Sequence, residues 1–196
     1  MKTGGQFLTS AITETTAFSP ENFSDIHQEL AKAMQNFAHR EILPQKDAIE
    51  KFDKALSLHL IKKCGELGFL GVDIPERFGG LGLDKVSSAL LAEKIAAGET
   101  ESFSLTFFVD TGIGTLPIVN FGSEDLKKKY LPKIASGDWL SSYALTEPGS
   151  GSDALSLRTE ARLSTDGQYY ILNGSKQFIS NGGWAKVLIT FAKIDG

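Results

Sequence analysis

The apolar residues of this chain keep two different spacings. From about residue 19 to about residue 136 they recur every three or four positions, the interval that lines one face of a helix. After Trp139 they alternate, as in a strand with one buried face.

Five helices follow from the first pattern. Ser19, Pro20 and Glu21 predict a start, because Ser caps, Pro suits the first turn and Glu faces the positive end of the helix dipole. Phe23, Ile26, Leu30, Ala33 and Phe37 then share a face, and Pro44 is expected to end the helix near Leu43. A second helix over 54–67 aligns Leu56, Leu60, Cys64 and Leu67 and stops at Gly68. Asp84 caps a third, with Val86, Leu90 and Ile95 turned inward before Gly98. A fourth covers 102–111, and Ser123 caps a fifth, EDLKKKYL, ahead of Pro132. The glycine-rich GFLGVDIPERFGGLGLD between the second and third is a long ordered connection.

In the second pattern Leu155, Leu157, Thr159, Ala161 and Leu163 alternate with Ser156, Arg158, Glu160 and Arg162. Asp166-Gly167 predicts a hairpin turn before QYYIL, and Asn173-Gly174 another before SKQFIS. A fourth strand, AKVLITFAKI, follows Asn181-Gly182-Gly183. Helices first and antiparallel strands afterwards make an α+β chain. Its expected parts are an extension over 1–18, a helical domain over 19–137 and a β domain over 138–196.

Composition narrows the function. The 196 residues, 41% of them hydrophobic, suffice for a core. A formal charge of −4 offers no broad basic surface to a nucleic-acid backbone, and the run Lys127 to Lys129 is read as a solvated helix face. Cys64 stands alone, so no internal disulfide forms, and the three scattered His have no metal-ligand spacing. MKTGGQFLTSAITETTAF lacks the apolar core of a secretory signal, and FSLTFFVDTGIGTLPIV is too short and too interrupted to span a membrane. A reducing, intracellular setting is expected: cytoplasm in a bacterium, the mitochondrial matrix in a eukaryote.

The most suggestive stretch is YALTEPGSGSD, residues 143–153. Gly149, Gly151 and Ala154 match a dinucleotide fingerprint, but that motif needs a helix to begin inside it, and here an alternating strand follows. A different use of the loop survives. Pro148 and Gly149 suit the two central places of a type II turn, which would aim the amides of Gly151 and Ser152 outward. Bare amides with the Ser152 hydroxyl form a nest for phosphate oxygens, and Thr146 can meet a polar ring edge.

Several ordered motifs together resemble the N-terminal part of flavin-dependent acyl-CoA dehydrogenases. They are LGFLGVDIPERFGGLGLD, FGSEDLKKKYLPKIASGDW, YALTEPGSGSD, SLRTEA and YYILNGSKQFISNGG, and the variants LRT, LNGSK and ISNGG are most similar to the very-long-chain branch. The resemblance implies an N-terminal all-α helical domain, a middle antiparallel β-barrel domain of which only the first part is present, and a C-terminal helical domain beyond Gly196. FAD would lie between the last two. By position in the motifs, Tyr143, Leu145 and Thr146 would line the flavin ring, Gly151 and Ser152 would meet the pyrophosphate, and Ser152 would also approach the CoA portion of the substrate. Phe178, Ile179 and Ser180 would flank the flavin on the other side, with the Ser180 hydroxyl near N5. Phe178 stands where the family commonly has Trp, and Ser180 where it commonly has Thr; an aromatic face and a hydroxyl remain in each case.

The implied reaction oxidises an acyl-CoA thioester to the 2,3-enoyl-CoA, in fatty-acid β-oxidation, with a long-chain substrate and electron-transfer flavoprotein as acceptor. A homodimer or homotetramer is implied for the full-length enzyme. The family's glutamate base has no counterpart here, so no catalytic residue is assigned and the fragment alone is expected to be inactive. Glu147 adjoins the flavin loop but is placed in its turn as a structural carboxylate. Ile113 is a candidate wall of the acyl pocket, with plain core packing as the alternative. Two other readings are a flavin-dependent acyl-CoA oxidase or monooxygenase of the same superfamily, and a non-catalytic binding or assembly module.

Overall fold

The computed structural model describes residues 20–194. The expected cap at Ser19 and the extension over 1–18 lie outside the described residues. Ser24 is the N-cap of the first helix, α1 (Asp25–Phe37): its hydroxyl accepts from the His27 amide at 3.3 Å, and its own amide donates to His27 Nδ1 at 3.1 Å. That acceptor role leaves the proton on His27 Nε2, which donates to the Asp84 carboxylate at 3.0 Å. Asp84 in turn accepts from the Ser87 amide at 2.9 Å and caps α4 (Lys85–Ile95), so one carboxylate joins the starts of two packed helices. Polar His27 therefore sits on the buried face with Met34 and Phe37, while Ile26 and Ala33, expected inside, face solvent.

Pro44 does not end the helical path. The chain widens into a π turn over Ala38–Ile42 and tightens into a 3₁₀ turn over Leu43–Gln45 before α2 (Lys46–Glu50). The Leu43 amide reaches back to the Ala38 carbonyl, a wider turn that accommodates the missing proline N–H. Helix α3 (Lys54–Glu66) starts at the Asp53 cap and stops, as the sequence predicts, where Gly68 takes φ +79°. Helix α4 ends in a 3₁₀ turn, and there the positive φ falls on Glu99. Gly98 instead packs on Ile42, where an added Cβ would come within 2.6 Å of Cγ2.

Helix α5 (Glu101–Thr111) matches its expected span, and Phe103 and Phe107 enter the main core with Leu60, Leu91 and Ile95. A short α6 (Leu116–Phe121) was not predicted, although Pro117 in its first turn is a start signal. Helix α7 (Glu124–Ala135) runs through Pro132 rather than stopping before it. Pro132 lies on the exposed side, and Leu131, Ile134 and Ala135 bury against Ile74 and Phe78. Burying those side chains outweighs the ~3 kcal/mol an interior proline costs.

The β segment starts earlier than the alternation suggests and is less regular. Strand β1 (Ser141–Ala144) pairs in parallel with β4 (Val187–Thr190). A second sheet has the order β3-β2-β5, with β2 (Glu160–Leu163) antiparallel to β3 (Tyr170–Asn173) and parallel to β5 (Lys193–Ile194). The Asp166-Gly167 hairpin forms with Gly167 at φ +69°. The chain is thus α+β as expected, but strand directions are mixed rather than antiparallel throughout. Leu157, Thr159 and Ala161 are buried as the alternation requires, whereas Leu155 lies exposed in a 3₁₀ turn and Leu163 is half exposed. SKQFIS is not a strand, because Phe178 takes φ +57° and bends it.

Candidate functional site

Three segments converge on a cleft of about 260 Å³. Helix α5 and its exit bring Val109 and Ile113; β1 and the residues after it bring Tyr143, Leu145 and Thr146; the bent segment before Asn181 brings Phe178, Ile179 and Ser180. Six of the eight residues singled out as cofactor-binding therefore line one cavity. The Thr146 carbonyl accepts from the Gln177 amide at 2.9 Å, and the Ser142 hydroxyl donates to the Ser180 carbonyl at 2.6 Å, which stitches the two motifs together. Tyr143 is held from behind by the Phe191 ring at 5.0 Å. The Thr146 and Ser180 hydroxyls have no protein partner among the described residues, so both are available inside the cleft.

Gly151 and Ser152 do not line this cavity. They stand in the adjoining loop, exposed to solvent, and nothing approaches within 4 Å of where a Gly151 side chain would begin. The turn before them also differs from expectation. Glu147 and Ser150 exchange backbone hydrogen bonds at 2.9 and 3.1 Å, but Gly149 has no positive φ, so the turn is not type II.

Glu147 is a structural carboxylate, as its position in the turn suggests. Buried, it accepts from the Arg158 and Thr159 amides at 2.5 and 2.9 Å, the Thr159 hydroxyl at 2.5 Å and Lys176 Nζ at 2.8 Å. Lys176 foremost, then Thr159, hold its carboxyl down to about 2 from the usual 4.5. A group so acidic accepts no proton near neutral pH. Lys176 also donates to the Leu145 carbonyl at 3.0 Å, and only its place inside the SKQFIS motif marked it in the sequence.

A second cavity of about 310 Å³ lies beyond Ile179 and Ser180, against Ile49, Phe52, Leu105 and Trp184. No group of three metal-ligating side chains exists among the described residues.

The family model for the acyl-CoA dehydrogenase N-terminal domain matches residues 24–138, and that for the middle domain matches 142–196. The chain belongs to the acyl-CoA dehydrogenase family. It is 50% identical over 98% of its length to a probable acyl-CoA dehydrogenase of Bacillus subtilis, of which it covers 32%. It is 37% identical over 96% of its length to the human mitochondrial very long-chain specific acyl-CoA dehydrogenase, of which it covers 28%. Among solved structures, an acyl-CoA dehydrogenase of Bacillus anthracis complexed with FAD superimposes on 98% of the chain with a TM-score of 0.93 and 52% identity, and the chain covers 33% of it. The chain therefore spans about a third of the length of these family members.

Proposed function

We propose that this chain supplies the flavin-cleft portion of an FAD-dependent acyl-CoA dehydrogenase, an oxidoreductase that converts acyl-CoA thioesters to 2,3-enoyl-CoA. The observation that carries the proposal is the convergence of the Tyr143–Thr146 and Phe178–Ser180 segments on one cleft with two unengaged hydroxyls. Apolar walls from Val109, Ile113 and Leu145 suit a flat ring, and the hydroxyls suit its polar edges. The exposed Gly151 and Ser152 leave room for a pyrophosphate in the adjoining loop. The residues present thus fit the group.

Bound FAD supplies the acceptor for the substrate's β-hydride. This chain's part is to hold the ring, exclude water from its apolar face and direct hydroxyl donors at its edges, each net hydrogen bond contributing about 0.5–1.5 kcal/mol. The cleft lining contains no carboxylate. The α-proton is therefore proposed to go to a base that is not among these cleft residues, and this stretch alone is proposed to be inactive. Further parts of the reading are a division into helical and β domains near residue 137, a long-chain substrate in fatty-acid β-oxidation, electron-transfer flavoprotein as acceptor, a homo-oligomer and an intracellular location. The motif variants LRT, LNGSK and ISNGG carry the substrate class, since the human very-long-chain and short-chain enzymes are similarly related to the chain, at 37% and 34% identity.

The test is to purify the intact protein encoded by the gene, record its visible spectrum and add long-chain acyl-CoA. A yellow protein that bleaches supports the proposal; a colourless protein that takes up no FAD, or a yellow one that never bleaches, overturns it.

A further inference from the structure

Asp110 follows the cleft residue Val109 in α5 and is fully buried. Its Oδ1 accepts from the Ser141 amide at 2.6 Å and from the Ser141 hydroxyl at 2.8 Å. Its Oδ2 has no partner among the described residues. Ser141 opens β1, two positions before Tyr143, and its carbonyl accepts from the Asn181 side-chain amide at 3.1 Å. The same amide donates to the Thr106 carbonyl of α5 at 3.0 Å. Asn181 directly follows Ser180 and takes φ +64°. All three walls of the cleft therefore meet through Asp110, Ser141 and Asn181.

We propose that Asp110 is a positioning residue: through Ser141 its carboxylate draws the start of β1 onto α5, and so sets the spacing at which Tyr143, Thr146 and Ser180 meet a bound flavin. The inference rests on the flavin reading above. An ionised acceptor holds an N–H and an O–H more strongly than a neutral carboxyl does. Burial pushes the Asp110 pKa from 3.8 up to about 7, against the opposing pull of the two Ser141 bonds, so the strength of this clamp changes across neutral pH.

The surrounding groups leave that change to Asp110. Cys64 of α3 is in electrostatic contact with it, and burial keeps the thiol neutral by pushing its pKa well up. On α2, Lys46, Asp47 and Glu50 reach solvent, as do Lys85, Glu93 and Lys94 on α4. Tyr143 of β1 faces the cleft, and the packed turn Phe69–Gly71 carries no ionisable side chain.

The experiment measures the FAD dissociation constant and visible flavin spectrum of the intact protein from about pH 5.5 to about pH 8.5. The wild-type protein is expected to bind FAD more tightly as pH rises, by on the order of threefold to tenfold, as a neutral acceptor becomes charged. The midpoint should fall at the Asp110 pKa of about 7. Asp110→Asn keeps the shape, removes the charge and should give a flat profile. Ser141→Ala removes one donor to the carboxylate and should move the midpoint to higher pH. A flat wild-type profile, or an Asp110→Asn profile parallel to the wild type, overturns the proposal. If Asp110→Asn does not fold, an unmoved midpoint in Ser141→Ala overturns it. A wild-type protein that binds no FAD at any pH sinks the flavin reading, and this proposal with it.

Discussion

Lys176 Nζ lies 2.8 Å from Glu147 Oε1, and this buried pair fastens the turn after β1 to the segment that ends at Ser180. Two of the three walls of the cleft depend on it, since Lys176 also holds the Leu145 carbonyl. Lys176→Met should leave Glu147 charged, enclosed and short of its strongest partner. FAD affinity of the intact protein should fall on the order of tenfold, with a lower melting temperature. Fluorescence titration and thermal unfolding check both; a variant with unchanged affinity would show that the pair does not govern the cleft.

Acid should loosen this joint. The Glu147 carboxyl is held down to about 2 from 4.5, so its stabilising contribution is complete above about pH 4.5 and is lost as pH falls toward 2. Asp110 works in the opposite sense. Its pKa is raised from 3.8 to about 7, so stability is greatest below 3.8 and declines as pH rises through 7. Denaturant unfolding across pH should show Glu147→Gln with a flatter acid limb and Asp110→Asn with a flatter limb between pH 4 and 7.

Phe178 holds φ +57° and is 83% exposed, a conformation that costs ~1–3 kcal/mol in a bulky residue. Asn tolerates this region, so Phe178→Asn should match or exceed wild-type stability by up to ~1 kcal/mol. The same variant loses the aromatic face and should bind FAD more weakly. Opposite changes in melting temperature and affinity would identify a strained ligand contact; parallel changes would exclude it.

Thr100 is buried before α5, and its hydroxyl has no partner among the described residues. Thr100→Val keeps the shape and removes the unsatisfied oxygen, so the protein should gain ~1 kcal/mol. Chemical denaturation with an unchanged m-value tests this; a loss of stability would mean that the hydroxyl is satisfied in solution.

The sequence made the helical portion legible wherever a cap or glycine acts locally. Asp84 and Ser123 each accept the amide expected of an N-cap, and Gly68 ends α3 at the predicted place. Tertiary packing decided the rest. Paired with Asp84, His27 displaced Ile26 from the buried face, and the hydrophobic anchors of α7 carried it through Pro132. The motifs located six cleft residues, but alternation could not show that β1 would choose β4 as a parallel partner. The sequence marked Asn181 only as a turn residue and gave Asp110 no role, because each acts across a long sequence separation, largely through backbone groups that carry no residue code.

The pairing of β1 with β4 also sets an order of events during synthesis. Every α-helix among the described residues precedes β1, and the hairpin of β2 and β3 lies between β1 and its partner. A growing chain can thus complete its helical layers and that hairpin while the wall carrying Tyr143 still lacks a neighbour. The wall carrying Tyr143 thus gains its parallel partner only after Val187 to Thr190 leave the ribosome, when the helical half is already built.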